Sequence, residues 1–158
     1  MMLLACACIA PRALALSAGA PAPSFALLDA QGGLVSLEKL RGQVVYVDFW
    51  ASWCGPCRRS FPFMNELHAR YGHRGLAIVA VNVDRNRADA ERLLQQVPAS
   101  FRIVFDAAGV TPLAWGAGAM PSSYIIDPRG TIVQVEQGFR DERRAVVEER
   151  IRSLLPAR

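Results

Sequence analysis

Two cysteines set two residues apart, Cys54-Gly55-Pro56-Cys57, are the side chains whose spacing most directly implies chemistry. An apolar, strand-like run, Val44-Val45-Tyr46-Val47-Asp48-Phe49-Trp50, leads into them, and a helix-like segment from Arg58 to Tyr71 leads out. This order puts the first sulfur at a helix N-terminus. There the unpaired backbone N–H groups and the helix dipole favour a thiolate over a thiol. A thiolate is the nucleophile of disulfide exchange, so the pattern points to thiol–disulfide redox chemistry. The competing use of such a pair is half of a zinc site. A zinc site usually takes four ligands, and the residues that could complete one are His68 and His73 on the following helix.

Asp48 is the next group of interest. It stands in an apolar strand two residues before Trp50. A carboxylate placed there is desolvated and its pKa raised, and it could accept the proton that Cys57 must lose. The alternative is a hydrogen-bonded structural acid.

The surrounding elements can be read from periodicity and punctuation. Phe25 to Leu28 and Leu34-Val35 flank Asp29-Ala30-Gln31-Gly32-Gly33, a hairpin signal. Ser36 can cap a helical turn over Leu37 to Leu40, which Gly42 ends. Leu76 to Val83 is a continuous apolar run, as in a strand buried on both faces. A helix over Ala88 to Val97, a strand over Arg102 to Phe105 and a short helix over Val110 to Trp115 follow. Strands over Ser122 to Ile126 and Thr131 to Val135 are joined by the turn Asp127-Pro128-Arg129-Gly130. A last helix, N-capped by Asp141, runs to about Leu155, with Val147, Ile151 and Leu154 forming one apolar stripe. Strands alternating with helices and closed by a hairpin and a helix predict an α/β domain with a mixed sheet.

A chain of 158 residues, 52% hydrophobic and 20% charged, has the length and composition of one globular domain. Its net charge of +4 is almost wholly arginine, since Lys39 is the only lysine. Those arginines alternate with acids, as in Glu142-Arg143-Arg144 and Glu148-Glu149-Arg150, so no basic stripe marks a nucleic-acid binder. Residues 1–22 have the small and apolar character of a secretory signal or an N-terminal anchor, with residues 23–158 as the folded domain behind the Pro21-Ala22-Pro23 linker. No positive charge precedes the apolar run. With an upstream start, Leu3-Leu4-Ala5-Cys6 would resemble a lipoprotein processing site. A periplasmic or membrane-anchored location is therefore expected.

With these residues in view, the chain resembles the thioredoxin superfamily. Val47-Asp48-Phe49-Trp50-Ala51-Ser52-Trp53-Cys54-Gly55-Pro56-Cys57, with Pro62 beyond it, is similar to that superfamily's active-site pattern. The predicted N-terminal hairpin, Ser60-Phe61-Pro62-Phe63-Met64 and Met120-Pro121-Ser122-Ser123-Tyr124-Ile125-Ile126-Asp127 resemble the exported TlpA/ResA/CcmG branch. The long Asp84-to-Pro121 interval leaves room for the helix and strand that this branch inserts. The resemblance implies a thioredoxin fold with a central mixed sheet flanked by helices, an N-terminal β-hairpin and a central helix–strand insertion.

The same resemblance assigns roles. Cys54 is the attacking nucleophile beside the bulky Trp53, and Cys57 resolves the mixed disulfide by attacking Cys54. The pair then forms the redox disulfide Cys54–Cys57. Gly55 and Pro56 shape the turn between the sulfurs, and Pro56 has no N–H to donate. Pro121 matches the superfamily's cis-proline facing the disulfide, and Met120 offers its backbone to an extended substrate. Thioredoxins carry an aspartate at the place of Asp48, but the lysine that partners it there matches Ala80 in this chain. Ser60 stands where relatives often have glutamate. The expected function is an exported thiol–disulfide oxidoreductase, a monomer without metal or cofactor, that reduces protein disulfides such as those of cytochrome c maturation. An upstream dithiol donor, such as a membrane electron carrier, would recharge it. Two other uses of the scaffold are a copper metallochaperone binding through Cys54 and Cys57, and a peroxiredoxin-like peroxidase. The first lacks the further histidine expected of copper-delivering relatives, and the second lacks the Pro-x-x-x-Thr/Ser-x-x-Cys pattern.

Overall fold

The two long apolar runs become the central strands. In the computed structural model, which describes residues 16–157, Val44–Trp50 (β3) and Leu76–Asn82 (β4) are buried at every position. They pair in parallel from Val44↔Leu76 to Trp50↔Asn82. Parallel strands covered on both faces need such unbroken apolar sequence. Ser122–Ile126 (β6) pairs antiparallel with β3, and Ile132–Gln137 (β7) pairs antiparallel with β6. Arg102–Phe105 (β5) lies parallel to β4. The result is a mixed five-stranded sheet in the order β5-β4-β3-β6-β7. A separate hairpin pairs Ala26–Leu28 (β1) with Leu34–Ser36 (β2). These strands realise the predicted fold class.

Helices cover the sheet. Gly55–Tyr71 (α1) is the longest, with Pro62 inside it. Arg87–Gln96 (α2) and β5 form the helix–strand unit between β4 and the short helix Val110–Ala114 (α3). Arg144–Leu154 (α4) closes the chain. One core layer joins Trp50, Phe61, Met64, Leu67, Val147 and Ile151 between the sheet and α1 with α4. The opposite layer packs Phe25, Leu37, Leu40, Phe49, Trp115 and Tyr124, with the Trp115 and Tyr124 rings 5.0 Å apart.

Three local expectations need correction. Asp141 does not cap the last helix. Asp141–Arg143 is a 3₁₀ turn, and α4 starts at Arg144 without any side-chain cap, the Asp141 carboxylate lying 3.8 Å from the Arg144 guanidinium instead. The first long helix starts at Gly55 rather than Arg58, because Cys54 itself serves as the cap. β7 continues to Gln137, since the hairpin register with β6 carries it to the pair Ser122↔Gln137. The turn between those strands is as expected, with the Gly130 N–H donating to the Asp127 carbonyl at 2.9 Å.

The Pro21-Ala22-Pro23 region is hydrogen-bonded into the body. Gly19 N–H donates to Ile132 O at 2.8 Å, Ile132 N–H to Ala20 O at 2.9 Å, and Ala22 N–H to Gly130 O at 3.0 Å. At the other edge, Asp29 bridges Val104 of β5. Cys6, Cys8 and the apolar start lie outside the described residues. Among the described residues no helix is long and apolar enough to cross a membrane.

Candidate active site

β3 ends at Trp50, and a tight turn follows in which Cys54 N–H donates to Ala51 O at 3.1 Å. Cys54 then takes an extended conformation as the N-cap of α1, and its Sγ accepts the Cys57 N–H at 3.2 Å. Sulfur here does the work that a serine or aspartate oxygen does at other helix starts. No acid stands in the first turn, so the positive end of the helix acts on Cys54 uncompensated. Pro56 costs the helix nothing, because a first-turn N–H has no partner within the helix. Cys54 and Cys57 are joined as a disulfide, with Cα atoms 5.3 Å apart.

The two sulfur-bearing residues differ in access. Cys57 is wholly buried, whereas Cys54 keeps 4% of its surface. Gly55 and Pro56 are exposed, and Trp53 leaves 72% of its surface in water beside them. Ser60, one turn beyond Cys57, is buried and donates its hydroxyl to the Cys57 carbonyl at 3.0 Å.

Three residues to which the sequence assigned no role hold the turn in place. The Asp84 carboxylate accepts the Ser52 N–H at 2.9 Å, the Ser52 hydroxyl at 3.1 Å and the Asn82 side-chain amide at 2.8 Å. Asp84 N–H donates back to Asn82 Oδ1 at 3.1 Å. The end of β4 thus fastens the loop between Trp50 and Cys54. An Asn-x-Asp closing a buried strand was the available signal, since polar groups there need partners.

Asp48 lies wholly buried in β3. Alternation puts its side chain on the same sheet face as Tyr46 and Trp50, which pack in one cluster with Cys57. Its register partner on β4 is Ala80, so no lysine stands beside it. Its register partner on β6 is Ser123, whose hydroxyl donates to Asp48 Oδ1 at 2.7 Å. Oδ2 has no hydrogen-bond partner among the described residues. Burial pushes the carboxyl up to about 7, and the Ser123 hydrogen bond works against that rise. Burial also raises the Tyr46 phenol, helped by the neighbouring Asp48 charge, so Tyr46 stays protonated.

Pro121 is buried directly before β6, and the Met120–Pro121 peptide is cis. The β3–β6 register, which pairs Phe49 with Ser122, puts Pro121 level with Trp50 at the mouth of the Cys54 turn. Met120 is half-buried and packs against both core layers. His68 stands apart from these groups. It lies near the far end of α1, roughly 16 Å along the helix axis from Cys57 at 1.5 Å per residue, with Nδ1 3.2 Å from Ser100 Oγ. That separation does not allow it to share a metal ion with the two sulfurs.

The chain is similar to known proteins over most of its length. The Redoxin family model matches residues 17–151. Thiol-disulfide oxidoreductase ResA of Geobacillus thermodenitrificans is 36% identical over 124 residues, covering 78% of this chain and 71% of ResA. ResA of Bacillus subtilis is 32% identical over 127 residues, covering 80% and 71%. A crystal structure from Chlorobium tepidum, assigned as the thiol:disulfide interchange protein DsbE, superposes with a TM-score of 0.85 at 45% identity, over 88% of this chain and 98% of that one. The thioredoxin domain of a Bacteroides vulgatus thiol-disulfide oxidoreductase superposes at 0.78 with 27% identity, covering 86% and 99%. A disulfide at a helix N-terminus on this scaffold, with relatives of this kind over most of its length, makes the chain a thiol–disulfide oxidoreductase. It belongs to the Redoxin family, in the TlpA/ResA/CcmG-like branch of the thioredoxin superfamily.

Proposed function

We propose that this oxidoreductase works outside the cytoplasm as a reductant of protein disulfides, such as those handled in cytochrome c maturation. The observation that carries the reading is the asymmetry of the pair: Cys54 caps a helix and keeps some exposure, while Cys57 is sealed behind it. In the reduced enzyme the Cys54 thiolate attacks a substrate disulfide and expels one substrate thiolate. Cys57 loses its proton to Asp48 and attacks Cys54 Sγ. The second substrate thiolate leaves, and the Cys54–Cys57 disulfide remains, so two electrons have passed to the substrate. An upstream dithiol returns them by the reverse exchange. Trp53 and the Met120 backbone flank the substrate chain, and Pro121 offers it no competing donor.

The Gly55-Pro56 dipeptide resembles that of reducing members, which supports the reducing direction. The measured reduction potential is expected nearer the about −270 mV of thioredoxin than the about −120 mV of a strong oxidant. A value at the oxidising end would reverse the proposed direction.

The location is tested by the mature N-terminus. Protein recovered from the cell envelope is expected to begin at or before Ala18, because residues 19–22 carry backbone hydrogen bonds to Gly130 and Ile132. Lipidated Cys6 is the expected start if translation begins upstream. Intact chain found only in the cytosol would remove the export reading.

A further inference from the structure

The antiparallel register of β3 and β6 places Ser123 opposite Asp48, and the two side chains meet on the sheet face they share with Tyr46 and Trp50. The carboxylate is used asymmetrically. Oδ1 is occupied by the Ser123 hydroxyl at 2.7 Å, and Oδ2, equally buried, has no partner among the described residues. A buried carboxylate with one oxygen tied and one free is held in a single orientation, and the free lone pairs are where a proton can land. We propose that Ser123 is the positioning residue of the resolving step, holding Asp48 by Oδ1 so that Oδ2 stays free to take the proton of Cys57. The proposal rests on reading Asp48 as the proton acceptor.

Ser123 replaces a charge with a dipole. A lysine beside Asp48 would favour the anion through charge, but the β4 position holds Ala80. The serine O–H favours the anion through one hydrogen bond, which is lost when no hydroxyl is present. The other titrating groups facing this spot are few. Tyr46 of β3 stays protonated, and Cys57 of α1 is the proton source. Glu136 of β7, the register partner of Ser123, is held ionised by Arg143 at 2.7 Å and Gln134 at 2.7 Å, which outweigh its burial. Arg140 adds a further positive charge near Glu136. Tyr46 and Glu136 keep their charge state near neutrality, so a limb in this range belongs to Asp48 and the thiols.

The test is stopped-flow reduction of a small disulfide, followed by tryptophan fluorescence from pH 5.5 to 9, with wild type, Ser123→Ala, Ser123→Thr, Asp48→Asn and Ser123→Ala/Asp48→Asn. Ser123→Ala is expected to move the acidic limb up by about one pH unit, which is about tenfold slower at pH 6. Ser123→Thr keeps the hydroxyl on a strand that suits β-branched residues, and is expected to restore the wild-type limb. In the Asp48→Asn background the alanine change is expected to add nothing. A limb unmoved in Ser123→Ala, or an equal loss in both backgrounds, overturns the role of Ser123 while leaving Asp48 as the base. An Asp48→Asn profile that superimposes on wild type overturns the Asp48 reading, and the Ser123 proposal with it.

Discussion

Reduced Cys57→Ser protein mixed with a disulfide substrate is expected to accumulate as a mixed disulfide through Cys54, and Cys54→Ser protein to accumulate nothing. The reason is access. The attacking thiolate must reach the substrate disulfide along its S–S axis, and of the two cysteines only Cys54 presents any surface from which to do so. Once Cys57 is serine, the covalent adduct has no internal thiolate to break it, so multiple turnover falls to the uncatalysed rate. The same asymmetry appears in alkylation of the reduced wild type. Iodoacetamide at pH 7 is expected to label Cys54 about tenfold or more faster than Cys57, since helix N-terminal thiols have pKa values near or below neutrality. Mass spectrometry of the trapped and alkylated proteins reads both outcomes. Adducts captured through Cys57 would exchange the two roles.

The second large effect is expected from Asp48→Asn, in stability as well as rate. A buried carboxyl whose pKa rises from 3.8 in the unfolded chain to about 7 binds its proton more tightly when folded. Its contribution is fully present below pH 4 and is lost as pH climbs through 7, where a bare charge must be kept inside. That penalty approaches about 4 kcal/mol above pH 8. Asparagine never ionises, but leaves an amide donor without a partner, at about 1–2 kcal/mol. Oxidised Asp48→Asn is therefore expected to be more stable than wild type by roughly 2–3 kcal/mol at pH 8, and less stable below pH 4. Urea unfolding at pH 4, 6 and 8 reads the crossing. In the reduced enzyme the same change removes the base, so the resolving step is expected to slow about tenfold or more at pH 7. The deficit should close near pH 9, where the Cys57 thiolate forms unaided. Parallel stability curves together with superimposed pH–rate profiles would leave Asp48 a structural acid whose charge the fold tolerates.

How much of this could be read from the chain depended on whether the signal was local. β3 and β4 announce themselves because burial on both faces demands unbroken apolar sequence, and both are buried throughout. Cys54 as a helix cap follows from its place between a strand and a helix, and an acid inside β3 was conspicuous for the same reason. The partners of that acid were not conspicuous. Ser123 lies 75 positions from Asp48 and meets it only through the β3–β6 register, which a single sequence does not state. The clamp of Ser52, Asn82 and Asp84 likewise needs the parallel register of β3 and β4 before its residues share a corner. Asp141 failed for the opposite reason. Its local signal was good, but the chain enters α4 through a 3₁₀ turn in which the carboxylate faces Arg144 instead of a backbone N–H.

The hydrogen bonds at the two outer strands bear on how the protein resists aggregation. An edge strand with unpaired N–H and C=O groups is a template on which another chain can add a strand and begin to aggregate. Here the β5 edge is bridged at Val104 by Asp29 from the hairpin, and the start of β7 is occupied by Gly19 and Ala20. Short extensions ahead of the redox fold thus act as guards against polymerisation. A chain trimmed to residue 23 would keep every group of the active site and lose one of those guards.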